Sequence, residues 1–366
     1  MPGAHIFSSG DFVMRHRKKL FWLLGVGTAA IYLLIFPQQC AHSVREGLRL
    51  CTERIVPALF PYLVLSNLFL SGGGAQSMGR RLGALMQRVF HVGSGGVIAL
   101  LLGLTGGYPL GAKTAAALCR EGSIAKRDAQ QLLLFCNNAG PAFAFGVVGG
   151  VCYRSAAVGA ALYGVHLLSA LLCGILLRGS MPVRDADQEL KPLPSFSEAF
   201  LSSVQDAGRT LMNICLLITV FTVLIGSVKQ FLPGKGNLQL LVSVVLELSS
   251  GCFAVASSSL PWCAKLSLTA AAIGWGGVCV HLQTMASVKD AGLTIRPYLL
   301  AKALQATLSA ALALPLSLLI EPVAQVFGTG IVLRPFSPLP WTIFSIGMTF
   351  LIFLQFTTSN SENKGL

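Results

Sequence analysis

The sequence predicts an all-α integral membrane protein with about eight transmembrane helices and two re-entrant helical hairpins, arranged in two inverted repeats. Of its 366 residues, 54% are hydrophobic and 11% are charged, whereas soluble domains carry roughly 25% charged residues. Most of the chain must therefore face lipid or other membrane helices. Its apolar runs are about 20 residues long, which is the length of a transmembrane helix. The order of clean and interrupted runs also occurs twice.

The first half begins with a basic segment and an apolar run over residues 20–36. This order predicts an uncleaved first span with its N-terminus in the cytoplasm. Residues 37–54 are expected to form a polar, amphipathic link to a second span. That second span lies at 55–70. Two segments interrupted by polar residues and helix breakers follow at 97–118 and 131–150, and a clean span follows at 156–177.

The second half repeats this order after a polar linker. A clean span, two interrupted segments and another clean span occupy residues 211–232, 238–258, 266–286 and 298–320, and a last span is expected at 340–356. The predicted units are residues 1–40 (basic segment and first span), 41–178 (first gate-like repeat), 179–208 (cytoplasmic linker), 209–322 (second gate-like repeat) and 323–366 (last span and tail).

The two halves can be overlaid on one another, although their residues agree only weakly. The overlay places residues 101–109 on 245–253, which pairs Gly103 with Glu247. Interrupted segments at corresponding positions of two halves are typical of the binding site of a transporter.

The distribution of positive charge predicts the topology. If the first interrupted segment of each half is re-entrant, 19 of the 27 Lys and Arg residues lie on the cytoplasmic side; if every segment crosses, 14 do. Cytoplasmic loops are enriched in Lys and Arg. The charge pattern therefore favours re-entrant hairpins, halves of opposite orientation and both termini in the cytoplasm.

The first interrupted segment contains candidate substrate-binding residues. Gly107, Tyr108 and Lys113 lie in GGYPLGAK (106–113), whose glycines and proline predict a hairpin tip or a broken helix. An ammonium group inside a bilayer costs at least ~2.5 kcal/mol. We therefore expect Lys113 to bind an anionic group of a substrate; the alternative is that its side chain reaches the cytoplasmic interface.

Two adjacent amides, Asn137 and Asn138, precede a proline in FCNNAGP (135–141). Asn side chains both donate and accept hydrogen bonds, which suits a polar heterocycle or a carboxylate. We expect the pair to bind substrate; the alternative is hydrogen bonding between helices.

The second half supplies candidate coupling or gating residues. Glu247 is the only acid inside a predicted span or hairpin of this half. It is expected to couple transport to a proton or cation, to gate, or to face Lys113, unless it forms a structural ion pair. In GWGGVCVHLQ (274–283), Gly276 allows close backbone approach to a substrate, and His281 and Gln283 follow as gating candidates. A packed, hydrogen-bonded His281 is the alternative to a proton relay.

Other classes of protein are disfavoured. The ten cysteines and six histidines have no metal-ligand spacing, so neither a metal nor another cofactor is expected. The net charge of +13 lies in short loops and indicates topology rather than a nucleic-acid partner. The lysine of GGYPLGAK follows its last glycine one residue too late for a phosphate-binding loop, and no strand precedes it. No Ser/His/Asp or paired-carboxylate pattern suggests an enzyme.

The chain resembles the sporulation integral membrane protein YlbJ family, which belongs with membrane proteins that carry a nucleoside-recognition gate domain. The resemblance covers about residues 40–320 and rests on five stretches: FPYLVLSNLF, GGYPLGAKTAAALCREGSIAKRDAQQLLLFCNNAGPAF, LELSSG, GWGGVCVHLQ and IRPYLLAKALQA. It implies a multi-pass protein of the cell membrane in a spore-forming bacterium. It further implies export of dipicolinate, a small aromatic dianion, from the mother cell across the outer forespore membrane.

The residue types suit such a ligand. Lys113, Asn137, Asn138 and Tyr108 offer a cation, amides and a ring. Two alternatives remain open at this point: a transporter of nucleosides or other small solutes, and a non-transporting assembly protein of the spore envelope. Membrane lipid is an expected partner, while the coupling ion and the oligomeric state are left open.

Overall fold

The computed structural model describes residues 23–71, 82–179 and 194–328, with side chains described up to residue 320. Every regular element in these ranges is helical, as the sequence predicts. Four helices are long and apolar enough to cross a membrane, or five if the bent pair Leu23–Ile35 and Pro37–Phe69 forms one span. The chain is a multi-pass helical membrane protein. The basic start, most of the linker and the last predicted span lie outside the described residues.

The helices are numbered here in chain order. They are α1 (Leu23–Ile35), α2 (Pro37–Leu50), α3 (Val56–Ser71), α4 (82–90), α5 (Gly96–Gly106), α6 (Leu110–Arg120), α7 (Lys126–Leu133), α8 (Ala142–Cys152), α9 (Ala156–Leu176), α10 (Phe196–Phe231), α11 (Gly236–Leu246), α12 (Leu248–Ala256), α13 (Trp262–Trp275), α14 (Gly277–Val288) and α15 (Ile295–Gly328). The most extensive packing joins α13 to α15, with α9 also against α15 and both α2 and α3 against α10.

The polar link expected at residues 37–54 is a helix that runs on into α3 through a wider turn at Cys51–Ile55. Small residues at helical spacing, including Ser43 and Gly47, are buried on one face of α2. A Cβ on Gly47 would lie 2.9 Å from the Cα of Thr219 in α10, so the two backbones pack closely. The expectation missed this contact because small residues do not form the apolar stripe by which a packed helix is recognised.

The helix α10 starts at Phe196, within the region expected to be linker. Ser195 and Glu198 form a capping box, in which each side chain accepts a hydrogen bond from the other residue's backbone N–H, at 3.0 and 3.4 Å. This cap extends the helix well before residue 211. Large side chains that face outward from α10, including Leu216 and Leu224, are exposed and suit contact with lipid.

Helices α5 and α6 form a helical hairpin, called the first hairpin below. Its tip is residues 107–109, where the N–H of Leu110 donates to the carbonyl of Gly107 (2.8 Å). A Cβ on Gly111 would lie 2.9 Å from the Cα of Gly103, and a Cβ on either glycine would overlap the carbonyl of Cys136. The two arms therefore pack backbone to backbone across the glycines that the sequence analysis singled out.

Helices α11 and α12 form the second hairpin, whose tip is Glu247. A Cβ on Gly251 would lie 2.7 Å from the Cα of Val244, so these arms also pack closely. The overlay of the sequence analysis places Gly103, four residues before the first tip, on Glu247 at the second tip.

Each hairpin tip contacts a break in a following helical segment. The first break is residues 134–141, between α7 and α8, and the second is Gly276–Gly277, where both glycines have φ near +85°. A Cβ on Gly140 would lie 3.0 Å from the backbone nitrogen of Gly107. A Cβ on Gly277 would lie 3.0 Å from the backbone nitrogen of Leu248. The segments expected to be interrupted, 131–150 and 266–286, thus contain the breaks against which the two tips pack.

The segments between helices gather on two faces of the bundle. On one face, Gln130 donates to the carbonyl of Thr294 (2.9 Å) and Gln131 to that of Leu177 (3.0 Å). On the other, Lys265 donates to the carbonyl of Ala256 (3.0 Å), and the hydroxyl of Tyr153 donates to the carbonyl of Lys265 (3.3 Å). The helix α7, which directly follows the first hairpin, therefore lies on the same face as the segment before α15.

Cysteine labelling of intact cells tests how the hairpins enter the membrane. In a background with Cys263→Ser, which removes the one exposed cysteine of the ten, we expect Ser259→Cys to react with an impermeant maleimide added outside. Ala125→Cys should react only after the cells are permeabilised, because residues 125 and 259 follow the two hairpins, for which the charge pattern predicts opposite orientation. External labelling at residue 125 would contradict the re-entrant topology.

Candidate functional site

A cavity of about 70 Å³ lies where the two hairpin tips meet the two breaks. Four of the sequence-predicted site residues line it: Gly107 and Tyr108 from the first tip, Glu247 from the second, and Gln283 from α14. The other walls are almost entirely apolar and come from the α2–α3 helix, α8 and α10, with Ile55, Leu59, Leu63, Phe143, Ile214 and Ile218 among them.

The carboxylate of Glu247 caps the helix α12. The side chain is 3% exposed, and its two oxygens accept hydrogen bonds from the backbone N–H groups of Ser249 (2.9 Å) and Ser250 (2.6 Å). The positive end of the helix dipole favours a negative charge at this position. Within the described ranges no Lys, Arg or His forms an ion pair with Glu247. The residue therefore owes its place to the cap and not to a structural ion pair.

The paired amides of the first break lie behind the cavity and are fully buried. Asn137 Nδ2 donates to the hydroxyls of Thr284 (2.8 Å) and Tyr298 (3.2 Å), which joins the first break to α14 and α15. Asn138 Nδ2 donates to the carbonyl of Phe135 (2.7 Å). Neither amide lines the cavity, although the next two residues of the chain, Ala139 and Gly140, do.

Gln305 of α15 is the centre of a buried polar network that sequence reasoning missed. Its Nε2 donates to Asn138 Oδ1 (3.1 Å), and its Oε1 accepts from the ammonium of Lys302 (2.6 Å). His166 of α9 accepts the backbone N–H of Ala139 on Nε2 (3.0 Å), and its carbonyl oxygen accepts from Gln305 Nε2 (3.4 Å). The network thus ties the first break to α9 and α15.

Lys302 is a fully buried lysine in the middle of this network. Lys302 is one of the 19 Lys and Arg residues that the charge count assigns to the cytoplasmic side, and its burial corrects that assignment. Among the described residues no carboxylate lies within ion-pair distance of its Nζ. The signal was present in the sequence, because a lysine inside the predicted span 298–320 stands among apolar residues.

Tyr108 separates Lys302 from the cavity. The Nζ of Lys302 lies over the Tyr108 ring, 5.0 Å from its centroid. The hydroxyl of Tyr108 donates to the carbonyl of Ile273 (3.1 Å). A Cβ on Gly276 would lie 3.2 Å from the ring, so this glycine is where the second break makes room for Tyr108. Gly276 therefore contacts a side chain of the site and does not itself line the cavity.

His281 is packed in the interior beside the second break. Its ring lies edge-on to Trp275, with ring centroids 4.3 Å apart, and its Nδ1 is 3.3 Å from the hydroxyl of Tyr298. Its Nε2 is buried without a hydrogen-bond partner in the described part of the chain. Within those ranges no three His, Cys, Asp or Glu side chains are grouped so as to hold a metal ion.

Lys113 is not brought to the cavity. It lies on an exposed face of α6, and Gly111 and Ala112 are buried beside it. This position matches the alternative in which the side chain reaches an interface. The buried positive charge of the site is thus Lys302 rather than Lys113.

The comparisons with known proteins find one clear relative. The "Sporulation integral membrane protein YlbJ" of Bacillus subtilis (strain 168) is 25% identical over 314 residues, which cover 75% of this chain and 76% of that protein. No family model matches the chain. A solved structure of a CNTnw variant in an intermediate state covers 86% of this chain and 88% of its own, with 12% identity and a TM-score of 0.49. A TM-score of that size is too low to establish a common fold. This relative supports the assignment of the chain to the YlbJ family of integral membrane proteins.

Proposed function

We propose that this protein is a membrane transporter of a small anionic solute, with dipicolinate as the first candidate. One observation carries the proposal: a cavity in a membrane protein is lined by two hairpin tips and the first helix break, with a buried lysine behind its wall. Non-helical backbone at membrane depth is tolerated where it faces protein or a watery cavity. Such breaks form the substrate and ion sites of many transporters.

Helix ends around the cavity favour an anion. The helices α6, α8, α12 and α14 each begin at a tip or a break, and Ala142 and Leu248 at two of these starts line the cavity. The N-terminus of a helix carries a partial positive charge and free N–H groups. The carboxylate of Glu247 already occupies the start of α12. The start of α8, at Ala142, remains available to a carboxylate of the solute.

The choice of dipicolinate rests on the family. The relative is a sporulation protein by its name, and the resemblance implies export of dipicolinate from the mother cell. Dipicolinate carries two carboxylates on a flat aromatic ring, which suits apolar walls beside a buried cation. We place the protein in the outer forespore membrane of a spore-forming bacterium on the same ground.

The proposed topology has eight crossings, two re-entrant hairpins in opposite orientation and cytoplasmic termini. Contacts between segments support it, since α7, directly after the first hairpin, donates hydrogen bonds to the segments after α9 and before α15. If every segment crossed, the region between the first hairpin and α7 would lie on the opposite side of the membrane from the segment before α15. The pattern of positive charge supports the same arrangement.

A transporter of nucleosides or similar neutral solutes is the second candidate. The observation in its favour is that Glu247 and Gln283, which line the cavity directly, offer oxygen acceptors suited to hydroxyl groups. A dianion at the same place would be repelled by the negative charge of the Glu247 carboxylate.

Uptake by proteoliposomes separates these functions. We expect saturable uptake of radiolabelled dipicolinate, competed by excess unlabelled dipicolinate and not by excess uridine, with protein-free liposomes as the control. Uptake of labelled uridine that dipicolinate does not inhibit would support the second candidate instead. A monodisperse protein that binds and moves neither solute would contradict transport and favour an assembly role in the spore envelope.

A further inference from the structure

We infer that Lys302 is the charge partner of a solute carboxylate, and that the ring of Tyr108 covers it until the solute enters. The inference rests on the proposed anion transport and names the residues that select the charge of the solute. Nothing in the sequence motifs assigns a role to Lys302, which lies two helical turns beyond the start of α15.

The ammonium of Lys302 has unused binding capacity. A lysine ammonium has three N–H donors. In the described part of the chain one donates to Gln305 Oε1 (2.6 Å), and the group lies over the Tyr108 ring at 5.0 Å. A buried charge normally has a counter-charge, and here the described residues supply none within 4 Å. A carboxylate that took the place of the ring would satisfy the remaining donors.

Tyr108 is built to act as a movable cover. It is half-buried, it lines the cavity, and its ring lies beneath the ammonium of Lys302. A single hydrogen bond to the carbonyl of Ile273 holds its hydroxyl. Gly276, which has no side chain, lies against the ring. A turn of the ring away from Lys302 would join the ammonium to the cavity without moving the backbone.

Gln305 holds the ammonium in place from the opposite side. Its carbonyl oxygen accepts from Lys302, while its amide nitrogen donates to Asn138 in the first break. Asn138 therefore acts through Gln305 as a positioning residue, which explains why it is buried behind the cavity rather than exposed in it.

The charge role of Lys302 is tested by comparing the binding of a charged and a neutral ligand. Binding of pyridine-2,6-dicarboxylate and of its neutral analogue pyridine-2,6-dicarboxamide is measured on purified protein. We expect Lys302→Gln, which keeps a hydrogen-bonding side chain, to weaken dicarboxylate binding at least tenfold and to leave diamide binding within about twofold. Lys302→Arg should retain a preference for the dicarboxylate, and Lys235→Gln, at an exposed lysine, should match the wild type.

Equal loss of both ligands in Lys302→Gln would overturn the charge role and mark the lysine as structural. Loss of dicarboxylate binding in Lys113→Gln but not in Lys302→Gln would return the role to Lys113. If the wild type binds neither pyridine compound, anion transport fails and the charge role fails with it.

The cover is tested without any solute. Acetylation of Lys302 by acetic anhydride is followed by peptide mass spectrometry, with exposed Lys235 as the internal reference. We expect Tyr108→Ala to raise labelling of Lys302 at least tenfold over the wild type, and Tyr108→Phe, which keeps the ring, to raise it less than threefold. Equal labelling in Tyr108→Ala and the wild type would show that the ring is not the cover, whatever the outcome of the binding assays.

Discussion

Replacing Gly103 by alanine is expected to prevent normal closure of the first hairpin and to give the largest loss of stability of any Gly→Ala change among the described glycines. A Cβ at residue 103 would overlap the carbonyl of Cys136 and crowd the Cα of Gly111 at 3.1 Å. Both neighbours are backbone atoms, so no rotamer change can relieve the clash. Overpacking of this kind costs about 1–3 kcal/mol and sometimes more.

The matched control is Gly164→Ala on α9, where an added Cβ meets nothing within 4 Å. Glycine inside a helix is less favourable than alanine by up to about 1 kcal/mol, so this variant should be as stable as the wild type or more stable. Thermal unfolding in detergent, read by size-exclusion fluorescence, compares the two. Equal melting temperatures for Gly103→Ala and Gly164→Ala would contradict the close packing of the hairpin arms.

Replacing Glu247 by glutamine is expected to reduce solute uptake at least tenfold while the protein still folds. The side chain is the one carboxylate in the cavity lining. Glutamine would keep one acceptor for the N–H groups of Ser249 and Ser250 and would turn its NH₂ group toward the other. We expect a loss of about 1 kcal/mol from the weakened cap, together with loss of the charge that we propose to couple or gate transport.

Glu198→Gln is the matched control, because Glu198 completes a cap at the start of α10 and is exposed, away from the cavity. It should lose a similar or smaller amount of stability and retain full uptake. The comparison separates the cap from the charge. Full uptake in Glu247→Gln, at a protein level equal to that of the wild type, would show that the carboxylate has only the capping role.

The hairpins were predictable because their causes are local. Glycines at 103, 107 and 111 and a proline in the turn are all contained in one short stretch, and the same stretch forms the first hairpin. The breaks at FCNNAGP and GWGG were visible for the same reason. The bounds of the helices were harder to predict. The helix α10 starts earlier than expected, because its Ser195–Glu198 cap lies in a polar segment that resembles a linker.

The buried cation was not predictable from local pattern. Lys113 and Lys302 both stand among small and apolar residues. Only the packing of α15 against α9 and α13 turns Lys302 inward, and only the first hairpin's position leaves Lys113 on an exposed face. A helix can present either side to its neighbours until those neighbours are in place, so the orientation of a single polar residue depends on distant contacts.

The sequence by itself determined the membrane class, the two interrupted segments of each half and the candidate roles of Tyr108, Glu247 and Gln283, because hydropathy, glycine and proline act over a few residues. Only the tertiary structure decided that both tips share one cavity and that Asn137 and Asn138 support the site from behind. It also decided that the available ammonium is that of Lys302. These facts depend on which elements meet, and burial of a charge has meaning only once the surrounding helices have removed it from water.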